Sequence, residues 1–534
     1  MTDVDSMVSS LASRHLDQGL TTKDGSLSHQ KTLRFNADVD ISSLLSYCFS
    51  QDGNSANTGK SDFNNQVESW LQNSILRDND RSYDRILYIV QLAIIHIDKI
   101  INNQIDEILH HPRLQQLEAS WRGLQYLVDT EADYDEELTI KIKMLNANWK
   151  ELGKDVGRAI EFDQSQIFQR IYSDEFDMPG GEPFGVVLGD YQISHRARPG
   201  ATLSDIDILK EISQVATAAL CPFITGVDSS LFGLDSLREF GYPMDLDAIF
   251  SQQEYLKWRS LRKNESTRFI GLTLPDMLMR QPYCPDGTRL EQFVYREKTS
   301  DSDRDYLWGN SCYAFGSVLV RAFANTGWFA DIRGGVHEFG EGGVVRDLEY
   351  ANFNMGANTV ATRPATNIQI DDFLERELSE LGFIPLCSYN STDTSTFYSN
   401  SSMHEPPNYS SDIANTNARL SAMIQYMMCV SRFGHYIKVI GRDKIGRFIT
   451  QEDCQRVFQN WLNQFTTASD SSSAVLKARY PLAESKVEVH EQPGKPGYFT
   501  CVIHLKPHFQ LDQLVSSIKL VTELAVGTIS ASSA

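Results

Sequence analysis

Apolar residues first fall into helical register near residue 90. Val90, Ile94, Ile97, Ile101, Ile105 and Ile108 recur at intervals of three and four, which predicts one seam on a long helix. Residues 86–101 are the most apolar stretch, but Gln91, His96, Asp98 and Lys99 interrupt it, so a buried helix is expected rather than a membrane span. Pro112 stops this helix and sits where the next one tolerates a missing N–H. The string HPRLQQLEASWRGLQYLV follows, and in it Leu114, Leu117, Trp121, Leu124 and Val128 form a second seam. Glu118, Arg122 and Gln125 fall outside that seam, and the string carries no nucleophile, metal cage or phosphate loop. Its pattern predicts a docking helix.

The period then changes. In Glu137–Leu145 (ELTIKIKML), Leu138, Ile140, Ile142 and Met144 alternate with polar residues, the signature of a half-buried strand. Phe184–Leu188 is a continuous apolar run, as in a strand covered on both faces, and a helix over Thr202–Leu220 would make a β-α alternation. Asp371 is a good N-cap for a helix ending near Leu381. Phe373, Leu374, Leu378 and Leu381 form its buried side, and Gly382 supplies a left-handed C′ residue. Ser388–Asp412, rich in Ser, Thr, Asn and Pro, predicts an exposed loop. Leu420, Met423, Met427 and Val430 make another helical seam, and Thr450 and Asp453 have cap spacing ahead of Val457, Trp461 and Phe465. Val487–His490 and Phe499–Leu505 read as strands joined by the turn EQPGKPG, and a last helix is expected over Leu511–Leu524. The first 60 residues read as a polar arm with a possible strand near Leu33–Phe35 and one short amphipathic segment, Met7, Val8, Leu11 and Leu16. The expected organisation is an α+β (mixed α/β), multi-domain chain. It comprises an arm (1–60), a helical segment (61–134), a mixed domain (135–387), the exposed loop (388–412) and a C-terminal domain with the hairpin (413–534).

Composition narrows the function. With 49 Lys and Arg against 70 Asp and Glu in 534 residues, the net charge is −21, which disfavours nucleic acid and anionic membrane surfaces as partners. Eight cysteines without a C-x-x-C pair suggest reduced thiols in a cytosol, with neither a disulfide framework nor a zinc site, and no secretory signal opens the chain. There is no P-loop, dinucleotide fingerprint, nucleophile elbow or H-E-x-x-H motif. The cluster Gly334–Gly343 reads as a tight loop and the adjacent His110 and His111 as helix-end residues. His435 and His504 read as structural, Asp205, Asp207, Asp245 and Asp247 as caps or a solvated face, and Met423, Met427 and Met428 as core filler. Neither a catalytic constellation nor a cofactor site is expected.

The docking-helix string resembles the signature of the large subunit of the type VI secretion contractile sheath, the TssC/VipB family. EFGYPMDLDAI (239–249), YLKWRSLRKNESTRFIGLTLP (255–275), ELGFIP (380–385), NARLSAMIQYMMCVSRFGHYIKVIGRDKIGRF (417–448), KARYPL (477–482) and PGKPGYFTCVIHLKPHFQLDQL (493–514) resemble segments of the same family, in order. The resemblance implies a phage-tail-sheath-like protomer without enzymatic activity. Such a protomer pairs with a small TssB/VipA-like subunit, stacks with copies of itself around an Hcp inner tube on a baseplate, and contracts to expel that tube. A ClpV-type AAA+ unfoldase recycles it. The implied location is the bacterial cytoplasm, docked at the envelope without membrane insertion. Three further contacts are expected on this reading. Strand exchange falls to Val487, Val489, Phe499, Cys501, Ile503 and Leu505. The inner tube would meet the basic run Lys257, Arg259, Arg262 and Lys263 and the acidic face with Asp372 and Glu375. The unfoldase handle would be Met7, Val8, Leu11 and Leu16. The competing readings are a cytosolic oligomeric α/β enzyme and an unrelated scaffold, and neither predicts hollow tubes.

Overall fold

A computed structural model describes residue 69 and the runs 83–137, 139–196, 203–242, 244–285, 293–299, 305–336, 341–354, 360–362, 365–389, 394–443, 450–467, 474–491 and 499–508. The chain divides into two compact units, Met1–Asn103 and Gln104–Ala534, with the boundary inside the first long helix, α1 (Tyr83–Leu109). The seam of α1 was expected to be buried. Instead Ile94, Ile97, Ile101 and Ile108 are exposed, together with Leu87, Leu92, Ile95 and Ile100. No described helix is long and apolar enough to cross a membrane.

Helix α2 (Pro112–Tyr134) begins as the proline predicts, with the His111 side chain accepting the Arg113 N–H at 3.3 Å. Asp135 closes it, and the same carboxylate takes the Thr139 hydroxyl at 3.0 Å and the Ile140 N–H at 2.6 Å. The expected strand over Glu137–Leu145 does not form, because the backbone of residues 141–146 finds no hydrogen-bonding strand among the described residues. Helix α3 (Trp149–Arg158) follows, opened by a full capping box between Asn148 and Glu151.

The core is a six-stranded sheet. Strand β1 (Val187–Ile193) starts three residues later than its apolar run and is only partly covered, as suits a strand at the sheet's end. Helix α4 (Asp205–Ala219), capped by Ser204, returns the chain to β2 (Phe223–Val227), parallel to β1. Short helices lead to β3 (Ile270–Leu274), and β2 and β3 are buried throughout. Helix α5 (Cys312–Thr326) is buried nearly all round. Strand β4 (Val344–Val345), helix α6 (Asp372–Glu380), strand β5 (Ile384–Ser388) and strand β6 (Ser395–Phe397) complete the sheet in the order β1-β2-β3-β5-β6-β4. The first four are parallel; β6 and β4 are antiparallel to their neighbours. One face packs α4 through Ile270, Leu272 and Phe383, and the other packs α5 through Ile224, Ile384 and Leu386.

Two expectations fail here. The stretch 388–412 is no exposed loop, for β6 lies in the central sheet and Asn400, Ser402, Met403 and His404 are buried. Its hydroxyls are satisfied inside: Ser395 pairs with Ser388 at 3.1 Å, and Thr396 donates to the Gly334 carbonyl at 3.2 Å. On α6, Asp371 caps the Leu374 N–H at 2.8 Å and Gly382 takes φ +85°, as predicted, and Leu378 and Leu381 are buried. Phe373, two residues after the cap, nevertheless faces solvent.

A third core holds the C-terminal elements. Helices α7 (Asp412–Ser421) and α8 (Ile424–Asp443) break the predicted seam at Met423, which bridges to Ser401. Helix α9 (Gln451–Asn463), capped by Thr450, packs on a hairpin of β7 (Leu482–Glu491) and β8 (Phe499–Pro507). Trp328 stacks on Phe433 with ring centroids 4.1 Å apart, and Phe458, Leu462, Val487 and Val489 fill the space beneath. The last predicted helix, the arm with its Leu33–Phe35 strand, and the hairpin's Pro-Gly turn lie outside the described residues.

Candidate assembly surfaces

Helix α2 carries two apolar faces. The inner one is built from small residues, Ala119 and Gly123, with Leu127. A β-carbon on Gly123 would lie 2.4 Å from the Tyr313 ring, so only glycine lets α2 sit this close to α5. The outer face is the predicted seam. Leu114 and Leu124 are half-buried, but Leu117, Trp121 and Val128 remain 55%, 57% and 44% exposed. The docking helix is thus already packed by its small side and offers its large side chains outward.

The residues flanking the seam hold α2 in place. Glu118 accepts from Arg122 Nε at 2.8 Å and from Arg280 Nε at 2.9 Å. Arg280 also grips buried Glu297 through Nη1 (2.6 Å) and Nη2 (3.1 Å), and Glu297 takes the Tyr283 N–H at 2.9 Å. His110 Nε2 lies 3.1 Å from Glu297, and Asp106 accepts the Tyr295 hydroxyl at 2.5 Å. Burial pushes the Glu297 carboxyl up, but Arg280 and the Tyr283 N–H outweigh it and hold it below the usual range. Sequence reading set Glu118 outside the apolar seam and the histidines at a helix end; Arg280 and Glu297 lie in stretches with no periodic signal.

The apolar residues after α2 face the wrong way for an isolated subunit. Lys141 pairs with Glu182 and Lys143 with Glu175, both on the neighbouring 175–182 segment. An extended chain whose odd lysines share one side must turn Ile142 and Met144 to the other, and these are 37% and 61% exposed.

The hairpin's two edges differ. Gln455 Nε2 donates to the Val487 carbonyl at 2.9 Å, Gln459 Nε2 to the Ser485 carbonyl at 3.1 Å, and Gln451 to the Val489 carbonyl. The Val487 N–H in turn donates to Gln459 Oε1 at 3.0 Å. The first residue of β7 is held by backbone: Leu482 N–H donates to Phe465 O (3.2 Å) and its carbonyl accepts from Thr467 (2.9 Å). In register, Val487 faces Ile503, Val489 faces Cys501 and Glu491 faces Phe499. Val487 and Val489 are buried; Cys501, Ile503 and Leu505 are half-buried. The glutamine row had no distinctive sequence signal, since polar residues four apart read as a solvent face.

The charged candidates divide. Lys257 and Lys263 are exposed, Lys257 lying 3.4 Å from Asp207. Arg259 donates to the Phe250 carbonyl at 2.9 Å. Arg262 is buried, with its guanidinium on the carbonyls of Met403 (3.2 Å) and Glu380 (3.1 Å), so it is not the solvated contact expected. Asp372 is exposed, whereas Glu375 accepts the Ser399 hydroxyl and is pushed up by burial. Asp205 is likewise no surface carboxylate: it accepts Trp149 Nε1 at 2.8 Å and the Ser194 N–H at 3.1 Å. Asp245 caps a short helix, accepting the Ala248 N–H at 2.9 Å, and His504 is exposed on β8. The segment Met7–Leu16 lies outside the described residues. Among the described residues no three His, Cys, Asp or Glu side chains gather as a metal ion would require.

A subunit that packs its helices by glycine and alanine while turning Trp, Leu and Ile outward is a component of an assembly. Residues 91–404 match the family model described as EvpB/VC_A0108, tail sheath N-terminal domain, and residues 413–524 match its tail sheath gpW/gp25-like domain. The type VI secretion system sheath protein TssC1 of Pseudomonas aeruginosa is 37% identical over 439 residues, covering 82% of this chain and 86% of that protein. A chain in a cryo-EM structure of the anti-feeding prophage baseplate, 6-fold symmetrised, is 8% identical with a TM-score of 0.30, covering 58% of this chain and 64% of that one. This chain belongs to the VipB family, the large sheath subunits of type VI secretion, and its mixed α/β, multi-domain fold is that of a tail-sheath protomer.

Proposed function

We propose that this chain is the structural large subunit of a contractile sheath in the bacterial cytoplasm. It pairs with a smaller sheath subunit and polymerises with copies of itself from a baseplate around an Hcp inner tube. It contracts to expel that tube, and a ClpV-type unfoldase takes the contracted form apart. The observation that carries this reading is the outward seam of α2. Leu117, Trp121 and Val128 stand exposed on a helix whose other face and flanks are fixed, so the seam is preorganised for a partner. Covering the exposed part of each such side chain, roughly half of it, is worth about 0.7–1.5 kcal/mol. The strand-exchange role stays with the C-terminal hairpin. An inner-tube contact, if made by these segments, falls to the residues still facing solvent, Lys257, Lys263 and Asp372, with Arg259 at their margin.

The test is co-expression with the smaller subunit, followed by affinity co-purification and negative-stain microscopy. Wild type should yield hollow, ribbed tubes. The pair Leu117→Asp and Trp121→Asp should lower recovery of the smaller subunit at least tenfold and abolish tubes while leaving the fold intact. Normal tubes from that variant would remove the seam as the docking surface; no tubes from wild type would remove the sheath reading itself.

A further inference from the structure

The structure assigns Asp190 as the positioning residue of the docking helix: from a bulge in β1 it bonds Ser120 of α2, and so sets the rotation at which Leu117, Trp121 and Val128 face the smaller subunit. This role rests on the seam of α2 being the docking surface. Small side chains fix how near two helices come, but they resist a turn of one against the other only weakly. Ala119 and Gly123 bring α2 onto α5 in that way. Its rotation has to be set by directional contacts. Glu118 on Arg280 supplies one at the flank. The other lies beneath, where Ser120 stands on the row that continues through Gly123 and Leu127. The Ser120 hydroxyl donates to Asp190 Oδ2. Tyr313, whose ring fills the space against Gly123, bonds the same carboxyl through its hydroxyl. Trp121 is the next residue, about 100° round the helix, so any turn of α2 at Ser120 carries the seam with it.

Strand β1 is shaped to aim this side chain. It pairs with β2 at Gly189–Thr225 and again at Gln192–Gly226, which leaves Asp190 and Tyr191 between them as a bulge. A bulge turns a side chain out of the regular pleat. Tyr191 anchors this one: its carbonyl accepts the Thr225 hydroxyl and the Asn310 amide, both at 2.9 Å, and its hydroxyl donates to the Ala147 carbonyl at 2.6 Å. Asn310 also accepts the Cys312 N–H at 2.9 Å, so one side chain holds both the bulge and the start of α5, on which α2 rests. Burial raises the Asp190 carboxyl above its usual range, and the Ser120 and Tyr313 hydroxyls oppose that shift. An apolar pair at 120 and 190 could fill the same space with little loss of stability. What the polar pair adds is direction.

The experiment compares two readouts on the full chain: affinity for the smaller sheath subunit, and the denaturant midpoint of unfolding. Ser120→Ala with Asp190→Leu should leave the midpoint near that of wild type yet weaken binding about tenfold, because the seam is no longer preorganised. Asp190→Asn, which keeps an acceptor oxygen, should restore most of the affinity. In a Trp121→Ala background the same pair should change binding less than about twofold, since its effect passes through the seam. Should the pair lower the midpoint, Ser120→Ala alone gives the same comparison, for alanine favours the helix. Unchanged affinity in a folded variant, or an equal loss with and without Trp121, would overturn the positioning role. If Leu117→Asp with Trp121→Asp also binds normally, the seam reading falls as well; if that pair fails to bind while the Ser120 and Asp190 variants bind normally, only the role of Asp190 is lost.

Discussion

Single buried polar side chains fix how this subunit responds to its medium. The His435 imidazole lies in the core with Nε2 2.9 Å from the Ala219 carbonyl and its ring on Phe176. Burial lowers its pKa to about 4; the Ala219 bond opposes that shift, and Arg432 and Lys438 add to it. The folded form therefore stays neutral between roughly 6.5 and 4 while the unfolded chain takes up a proton. Stability from this residue is full above 6.5 and falls as pH drops toward 4, by as much as about 3 kcal/mol. Denaturant unfolding from pH 7.5 to 4.5 should show that slope in wild type and a shallower one in His435→Gln; parallel slopes would contradict it. Arg280 acts by charge pairing. Arg280→Ala leaves the buried Glu297 carboxylate without its guanidinium, with the Tyr283 N–H and His110 still beside it, at a cost of about 3 kcal/mol. Arg122→Ala, at the wetter end of the same network, should cost less than about 1 kcal/mol by the same measurement.

At the scale of elements, the segment after α2 is a strand pattern without a strand. Its amides at 141–146 should exchange at nearly unprotected rates in the free chain and become protected in the heterodimer if a partner lies along Ile142 and Met144. Continued fast exchange in the complex would leave that face without a role. This is also where sequence reading and structure part. Local chemistry was legible: Asp371 and Thr450 cap their helices, Gly382 turns left-handed, and the two C-terminal strands pair in the expected place. What a face packs against was not. Periodicity found the large residues of α2 but could not show that Gly123 against Tyr313 had already used the other side. The Ser-rich stretch looked like a loop because buried hydroxyls that satisfy one another, as Ser388 and Ser395 do, need not be apolar. The glutamine row escaped notice because its meaning depends on β7, some thirty residues further on.

Taken whole, the described chain has a well-filled centre and an unfinished surface. Isoleucines of α1, the seam of α2 and the 142–145 segment all face water, while a net charge of −21 keeps free copies apart. Such a polypeptide is exposed to proteolysis and aggregation whenever its complement is scarce, because quality control acts on uncovered apolar surface. Its abundance in the cell is then governed by its partner's supply rather than by its own synthesis. Depleting the smaller subunit should shorten this chain's half-life several-fold in a pulse-chase without changing its transcript, and the Leu117→Asp, Trp121→Asp pair should lose that dependence. The outward face of α2 would thus work as a gauge of stoichiometry, sparing from turnover only as many copies as the cell can build into tubes.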